Sequence, residues 1–503
     1  MAKYKHSDIE NGQGLFLTVN LQEQLLPGTF EHMLYDLIGK RIDISVFDKN
    51  YKNDETGAKA IAPSVLIKLI IYGYSKGIKS SRKLSELCAR NIIAKALTEG
   101  MEPHWTTIAN FISSNSEIFK NIFVKVLAYC SELKLVGGET FAIDGLRLPS
   151  NASIDLSGTR KELENRLELY RKMAERHIAK HKSHDEGIEL DKEAEERYQT
   201  RQKKLNHQIE KIDCFLESME KKAGKKGKEI KSNVTDNESA MIKTGSGFIQ
   251  GYIGLAVSDK RNQIIVSADA VGNTNEGEYL PQMLDDTLKN INDVDVKPPE
   301  GKKRIMLGDR NYYSEENLKA CQDMNIEAII PDSNAGRGVD TNGEKRYGAV
   351  DFKYCEEGNY YECPNGKKLE YKRITVLSGK EGKQYQANVK DCRICPLSAR
   401  CIKSKKEISK INTGREILIT HSNEPGSLCA VMREKLKTAE YQDHYSYRIQ
   451  IVEPVFANIK YCKGLNRFTL RGKNKVSGQW NLYCIVHNLG KCLKGYNESM
   501  GYT

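Results

Sequence analysis

The chain has 503 residues, 39% hydrophobic and 29% charged, which excludes a disordered protein and suits a soluble globular one of about three domains. A net charge of +11 and a pI near 8.8 favour a polyanionic partner such as nucleic acid, although basic proteins without one are common. Thirteen cysteines in so long a chain without a signal peptide argue against a disulfide scaffold and for reduced core thiols such as Cys88, Cys130 and Cys484.

The opening MAKYKHSDIENGQG lacks the apolar core of a signal peptide, and the most apolar run, SVLIKLIIYGY, is short and interrupted by Lys68. A cytoplasmic protein with no membrane partner is the expectation. VLIKLIIYGYSKGIKSSRKLSELCARN predicts a helix, a Gly-Ser turn over residues 77–81 and a second helix started by Ser80 or Ser81. WTTIANFISSNSEIFKNIFVKVLAYC adds a third and a fourth. Arg82, Lys83 and Arg90 on the second helix allow a helix-turn-helix, with Arg82 and Lys83 on DNA; a small helical bundle fits the pattern equally.

The period changes at GETFAIDGLRL, residues 138–148, which reads as a strand. Residues 158–232 carry two narrow helical stripes, Leu163, Leu167, Tyr170 and Met173, then Leu205, Ile209, Ile212, Phe215 and Met219. With the Gly-containing turn SHDEGIELD between them they predict an antiparallel helical hairpin, followed by the basic linker AGKKGKEIK. GFIQGYIGLAVS and NQIIVSADAVG are strands about a DKRNQ turn, EYLPQMLDDTLKNI is a helix, and RIMLGD is a strand ending at Asp309. SEENLKACQDMN is a helix capped by Ser314, with Glu315 and Glu316 near its positive end, and EAIIPD is a last strand. Three strands in succession, then alternation with helices, suggest a mixed sheet with helices packed on it.

In that order the first and fourth strands can be neighbours, which sets Asp144 beside Asp309. Two close carboxylates repel unless a cation bridges them, and Mg2+ takes one or two carboxylates with water and substrate phosphate. A third acid on a helix crossing the sheet would complete a two-metal site. VEPVFANIK supplies Glu453, at the edge of an apolar stripe of Val452, Val455, Phe456 and Ile459. Each acid has a plainer reading: an Asp at a strand end is commonly a turn residue or cap, and Glu453 before Pro454 suits the first turn of a helix.

About a hundred residues before Glu453 lie YCEEGNYYECPNGKKL and then KDCRICPLSARC. Cys392 and Cys395 form a CxxC; with Cys401 and Cys363 they would supply four thiolates for a structural Zn2+. Cys355 competes for the fourth place, and unliganded cysteines in a small β region are the alternative. From Lys463 onward there are seven Lys or Arg and one acid, Glu498. There Arg467, Arg471, Lys473 and Lys475 interleave with Phe468 and Trp480, a mix suited to backbone phosphates; a solvated face accounts for Lys491 and Lys494. His487 reads as a packed helix residue.

The blocks AIDGLRLPSNAS, GDRNYYSEENL and YRIQIVEPVFANIK, in this order, resemble the acid-bearing blocks of bacterial insertion-sequence DDE transposases, nearest to insertion-sequence family eleven-eighty-two. TDNESAMIKTGSGFIQGY, RFTLRGKNKV and WNLYCIVHNLGK resemble further blocks of that family, and the likeness spans most of the chain. It implies an α/β protein with an RNase H-like mixed-sheet core over residues 136–157, 233–332 and 441–503, the last with core helices and a basic tail. A helical DNA-binding domain over 1–135, a helical-hairpin insertion over 158–232 and a cysteine-containing insertion over 333–440 would complete it. It implies Asp144, Asp309 and Glu453 as ligands of two Mg2+ (or Mn2+) ions, with Tyr445, Arg448 and Lys460 beside the glutamate. Glu453 and Lys460 are seven apart, two helical turns. Arg448 is five from Glu453, Asn311 stands where glycine is usual, and so does Ala457. The implied activity is metal-dependent cleavage at insertion-sequence ends and strand transfer into target DNA. The implied partners are double-stranded DNA and a second copy in a homodimer that pairs the ends. A transposase-derived DNA-binding protein without catalysis and an RNase H-like nuclease are the alternatives.

Overall fold

A computed structural model of the chain describes residues 19–51, 59–185, 192–224, 227–332, 346–377, 380–402 and 408–502. The opening MAKYKHSDIENGQG and the Gly187 turn of the expected hairpin lie outside them. The chain divides into two compact units, residues up to Phe111 with those from Leu493 onward, and Ile112–Cys492.

The first unit holds the helices Phe30–Leu37, Pro63–Ser75, Ser81–Arg90 and Ile92–Leu97 around Met33, Leu34, Phe47, Leu66 and Ile70. Pro63 opens its helix where a missing N–H costs nothing, Gly77 turns the chain at φ 76°, and Ser80 stands at the next N-cap. Gly73 lets the second and third helices meet: a Cβ there would come within 2.0 Å of Leu84. Lys68, on the apolar helix, is buried with its ammonium over the Tyr35 ring and 3.0 Å from Glu99.

The second unit is built on a six-stranded mixed sheet. Its strands are β1 (Thr140–Pro149), β2 (Ala240–Thr244), β3 (Gly247–Asp259), β4 (Ile265–Val271), β5 (Arg304–Leu307) and β6 (Ile326–Ile329). β3 lies antiparallel to β1 over its length, from Phe141 opposite Asp259 to Pro149 opposite Gly251. The far edge of β3 carries β2 along its first half and β4 along its second. On the other side β5 and β6 run parallel to β1 in succession. The sequence pattern does not separate β2 from β3. RIMLGD stops as a strand at Leu307, two residues before Asp309.

Residues 250–259 of β3 are buried without alternation, because helices cover both faces of the sheet. Trp480, from the helix Lys473–Met500, lies on Gly254, where a Cβ would stand 2.9 Å from its ring, and donates to the Leu255 carbonyl at 2.7 Å. Asp144 pairs with Ala256, two residues from Gly254, so Asp144 faces that same side; Gly145, one residue on, faces the other.

The helices Arg160–Asp185 and Lys192–Ser218 pack on each other through Leu163, Leu167, Ile212, Leu216 and Met219, all but Leu216 belonging to the stripes read from the sequence. A separate five-stranded antiparallel sheet over residues 353–420 surrounds Phe352, Tyr361, Leu369, Tyr385 and Ile417. Among the described residues no helix is long and apolar enough to cross a membrane.

Candidate active site

Asp144 comes from the middle of β1. The parallel ladder pairs Thr140 with Ile305, Phe141 with Met306 and Ala142 with Leu307; two residues further along both chains stand Asp144 and Asp309. The two aspartates are therefore neighbours, and the charge of Asp309 is felt at Asp144. Asp144 Oδ1 accepts from the Gly145 N–H at 2.8 Å, and Oδ2 faces the Arg448 guanidinium at 3.3 and 3.4 Å. The Asp144 and Arg448 side chains are both mostly buried. Burial pushes the Asp144 carboxyl up to about 6; Arg448 and the Gly145 N–H oppose the rise, while Asp309 and Glu276 add to it.

Asp309 caps the short turn Arg310–Tyr312, accepting the Asn311 N–H at 2.8 Å and the Asn311 amide at 3.0 Å. The plainer reading of this residue, a cap, is what these bonds show. Asn311 does not need a left-handed backbone, since its φ is not positive; its amide instead joins Asp309 to Glu276, 2.8 Å away. Glu276 also accepts from Arg147 at 3.0 Å. Glu276 and Arg147 escaped the sequence reading, which noted Asn311 only as a departure from glycine; the acid sits in NTNEGEY, which looks like an ordinary polar connection between strand and helix.

The helix Ala439–Ala457 crosses over β1 and brings Arg448 to Asp144. Tyr445 is bonded to Arg448, and burial pushes its phenol up, with both aspartates nearby adding to the rise. Glu453 is on this helix too. It is exposed and makes no hydrogen bond or ion pair with a described residue. Five residues separate it from Arg448, which turns it about 140° away around the helix. The apolar stripe is as expected, with Val452, Val455, Phe456 and Ile459 buried.

Glu453 and Pro454 are near the helix's end, not in its first turn. Pro454 leaves the Gln450 carbonyl without its helical donor, and Gln263 Nε2 replaces that donor at 2.9 Å. A π turn, Asn458–Cys462, follows and holds Lys460, which is half-buried over the Tyr461 ring. The wider turn breaks the two-turn α register expected between Glu453 and Lys460.

Of the basic residues, Arg82 and Lys83 are exposed, Arg82 stacking on Trp105 at 4.8 Å. Arg467 and Arg471 are exposed as well, yet each commits its Nε to a backbone carbonyl after β1, of Ser150 and of Asn151. The Lys473 N–H donates to Glu238, and Lys475 is exposed. Phe468 and Trp480 are fully buried, so they are core residues and not platforms for bases. His487 is buried, bonded to Asn458 and the Gln263 carbonyl, and pushed down to about 4 by burial.

Cys363, Cys392, Cys395 and Cys401 line one cavity of about 20 Å³, while Cys355 bonds to Tyr360 elsewhere. Backbone N–H groups of Lys367 and Arg415 point at Cys363 and Cys392, each 3.4 Å from sulfur. Burial pushes the Cys401 thiol up to about 11. Among the described residues no three Cys, His, Asp or Glu side chains already stand at metal-holding distances.

Residues 362–493 match the family described as transposase DDE domain, and residues 20–114 match the transposase domain DUF772. No curated protein matches the chain. The first match takes in Tyr445, Arg448, Glu453 and Lys460, the second Arg82 and Lys83; Asp144 and Asp309 lie outside both. The DDE domain implies an enzyme that cleaves and joins DNA with divalent metal ions. The two matches together support an insertion-sequence transposase.

Proposed function

We propose that the chain is a DDE transposase of the kind of insertion-sequence family eleven-eighty-two, cutting at the ends of its element and joining them to target DNA. The observation that carries this reading is that Asp144 and Asp309 each follow the last parallel pair, Ala142 with Leu307, by two residues, with Arg448 against Asp144. The donors fit a hard divalent cation: carboxylate oxygens close enough to repel, one of them driven toward its neutral form without a cation. Two Mg2+ or Mn2+ ions held there would activate a water or a DNA 3′-hydroxyl and stabilise the leaving oxygen in an in-line displacement.

The chain's own residues set up that step. Arg448 holds Asp144 in one orientation and keeps positive charge beside the scissile phosphate. Tyr445 steadies Arg448. Lys460 lies near the end of the same helical run, where its ammonium binds phosphate. Glu453 is the third acid of this reading, uncommitted and on the helix that delivers Arg448. Arg82 and Lys83, with Lys475, hold DNA backbone. Two copies pair the two ends, and Cys363, Cys392, Cys395 and Cys401 hold a structural Zn2+.

That Glu453 is exposed and makes no contact with either aspartate favours one second reading, a transposase-derived DNA-binding protein without catalysis. A labelled duplex carrying the element's end, incubated with Mg2+ or with EDTA, separates them. Cleavage that needs Mg2+ and is lost in Glu453→Gln, while binding persists, supports the triad. Binding without cleavage by the folded wild type supports the second reading, and cleavage unchanged in Glu453→Gln removes Glu453 from the site.

A further inference from the structure

Glu276 opens the short turn Glu276–Tyr279 between β4 and the helix Leu280–Asp293. It is only 3% exposed, so its two oxygens have little recourse to water. Oε1 takes both available donors, Arg147 Nη2 at 3.0 Å and Asn311 Nδ2 at 2.8 Å. Oε2 is buried and has no partner among the described residues. A carboxylate oxygen left so is costly, and a folded protein seldom carries one without a reason.

Oε2 has a definite place. A Cβ on Gly145 would lie 2.3 Å from it, so the missing side chain next to Asp144 is what admits Glu276 to β1. β5 pairs with β1 only as far as Ala142, and beside that interrupted edge stand the Asp309 turn and Asn311. Asn311 Nδ2 is shared between Glu276 Oε1 and Asp309 Oδ2, which ties the two carboxylates together. A second buried, unpartnered atom lies within electrostatic reach of the same group. The Tyr312 hydroxyl is fully buried with no partner among the described residues, and its phenol feels the charges of Glu276, Asp144 and Asp309. Arg448 approaches from one face of the sheet and Glu276 from the other, converging at the end of the β5 ladder.

We propose that Glu276 is a further acid of the site, its free Oε2 completing, with Asp144 and Asp309, the oxygen set of one divalent cation. This rests on the reading of the two aspartates as a metal pair. Asn311 and Arg147 then position the carboxylate by occupying its other oxygen, which is how outer partners of a ligand ordinarily act. A purely structural Glu276 would need only its bond to Arg147 and would leave metal affinity untouched.

The test uses the full chain and Mn2+, with bound and free ion distinguished by electron paramagnetic resonance and melting followed in EDTA. In Glu276→Gln, which keeps shape and can keep both Oε1 bonds, Mn2+ binding is expected to weaken about tenfold or more. Its melting temperature in EDTA should equal or exceed the wild type's, because a buried carboxylate oxygen without a partner is gone while Arg147 is partly exposed to water. Asp309→Asn should weaken Mn2+ as well. Unchanged Mn2+ binding in Glu276→Gln, with Asp309→Asn impaired, overturns the proposal and leaves the aspartate pair standing. A wild type that binds no Mn2+, or binding indifferent to Asp309→Asn, overturns the pair and this proposal with it. Should Glu276→Gln fail to fold, Glu276→Asp, which keeps the charge but draws the oxygens back by one methylene, takes its place in the same titration: weakened Mn2+ binding supports the proposal and unchanged binding overturns it.

Discussion

Replacing Asp144 by Asn should stabilise the metal-free protein near neutral pH and cease to do so in acid. Burial raises Asp144 from 3.8 to about 6, and the side chain is only 17% exposed. A carboxyl with a raised folded pKa contributes its full stability below the unfolded value and loses it as pH climbs through the folded value. At about 1.4 kcal/mol per pH unit, the rise corresponds to about 3 kcal/mol, of which about 2 kcal/mol is lost between pH 4 and pH 7.

His487 works the other way, since a histidine held down to about 4 disfavours the folded chain as pH falls below its ordinary range. Comparing wild type with Asp144→Asn at each pH cancels that contribution. Differential scanning fluorimetry in EDTA should show the variant melting a few degrees higher at pH 7, with the gap closing toward pH 4. Added Mn2+ should raise the wild type at pH 7 and leave the variant alone, because binding to the folded state adds stability by mass action. A gap that is constant with pH would refute the argument that Asp144 is a buried, charge-strained carboxyl.

Other outcomes follow from the same structure. Glu99→Gln strips Lys68 of its counter-ion; with Glu99 half-exposed the loss should be about 1 kcal/mol, and adding Lys68→Met should recover it, as thermal melts of both variants would show. Gly254→Ala forces a methyl against Trp480 and should cost about 1–3 kcal/mol, read as a lower melting temperature or lost soluble protein. Metal analysis of the purified wild type should find one Zn2+ per chain, released in Cys392→Ser; a zinc-free, fully folded wild type would reduce the four thiols to packing.

Much of the fold was legible because period and turn chemistry are local. The continuous apolar run of β3, the stripes of the two long helices and the Gly77 turn follow from residues within a few positions of one another. The neighbourhood of Asp144 and Asp309 was legible too, since strand order constrains which ends meet. What the pattern hid depends on rotation and on distant partners. Pro454 and the π turn at Asn458–Cys462 alter the helix after the point where heptad counting still looks regular, so Lys460 is no longer simply two turns from Glu453. Phe468 and Trp480 alternate with basic residues in the chain but point inward, a distinction that composition cannot make. Glu276 was invisible because its significance lies in an unpaired oxygen and in the bare Cα of Gly145, which is 131 positions away in the chain.

The most direct test of the account supplies the protein with duplexes already ending in the element's free 3′-hydroxyl and a supercoiled target plasmid, in Mg2+. The wild type should yield covalently joined product, and Asp309→Asn, folded and still binding the duplex, should yield none. Joining that survives Asp309→Asn would contradict the assignment of the aspartate pair as the centre of phosphoryl transfer.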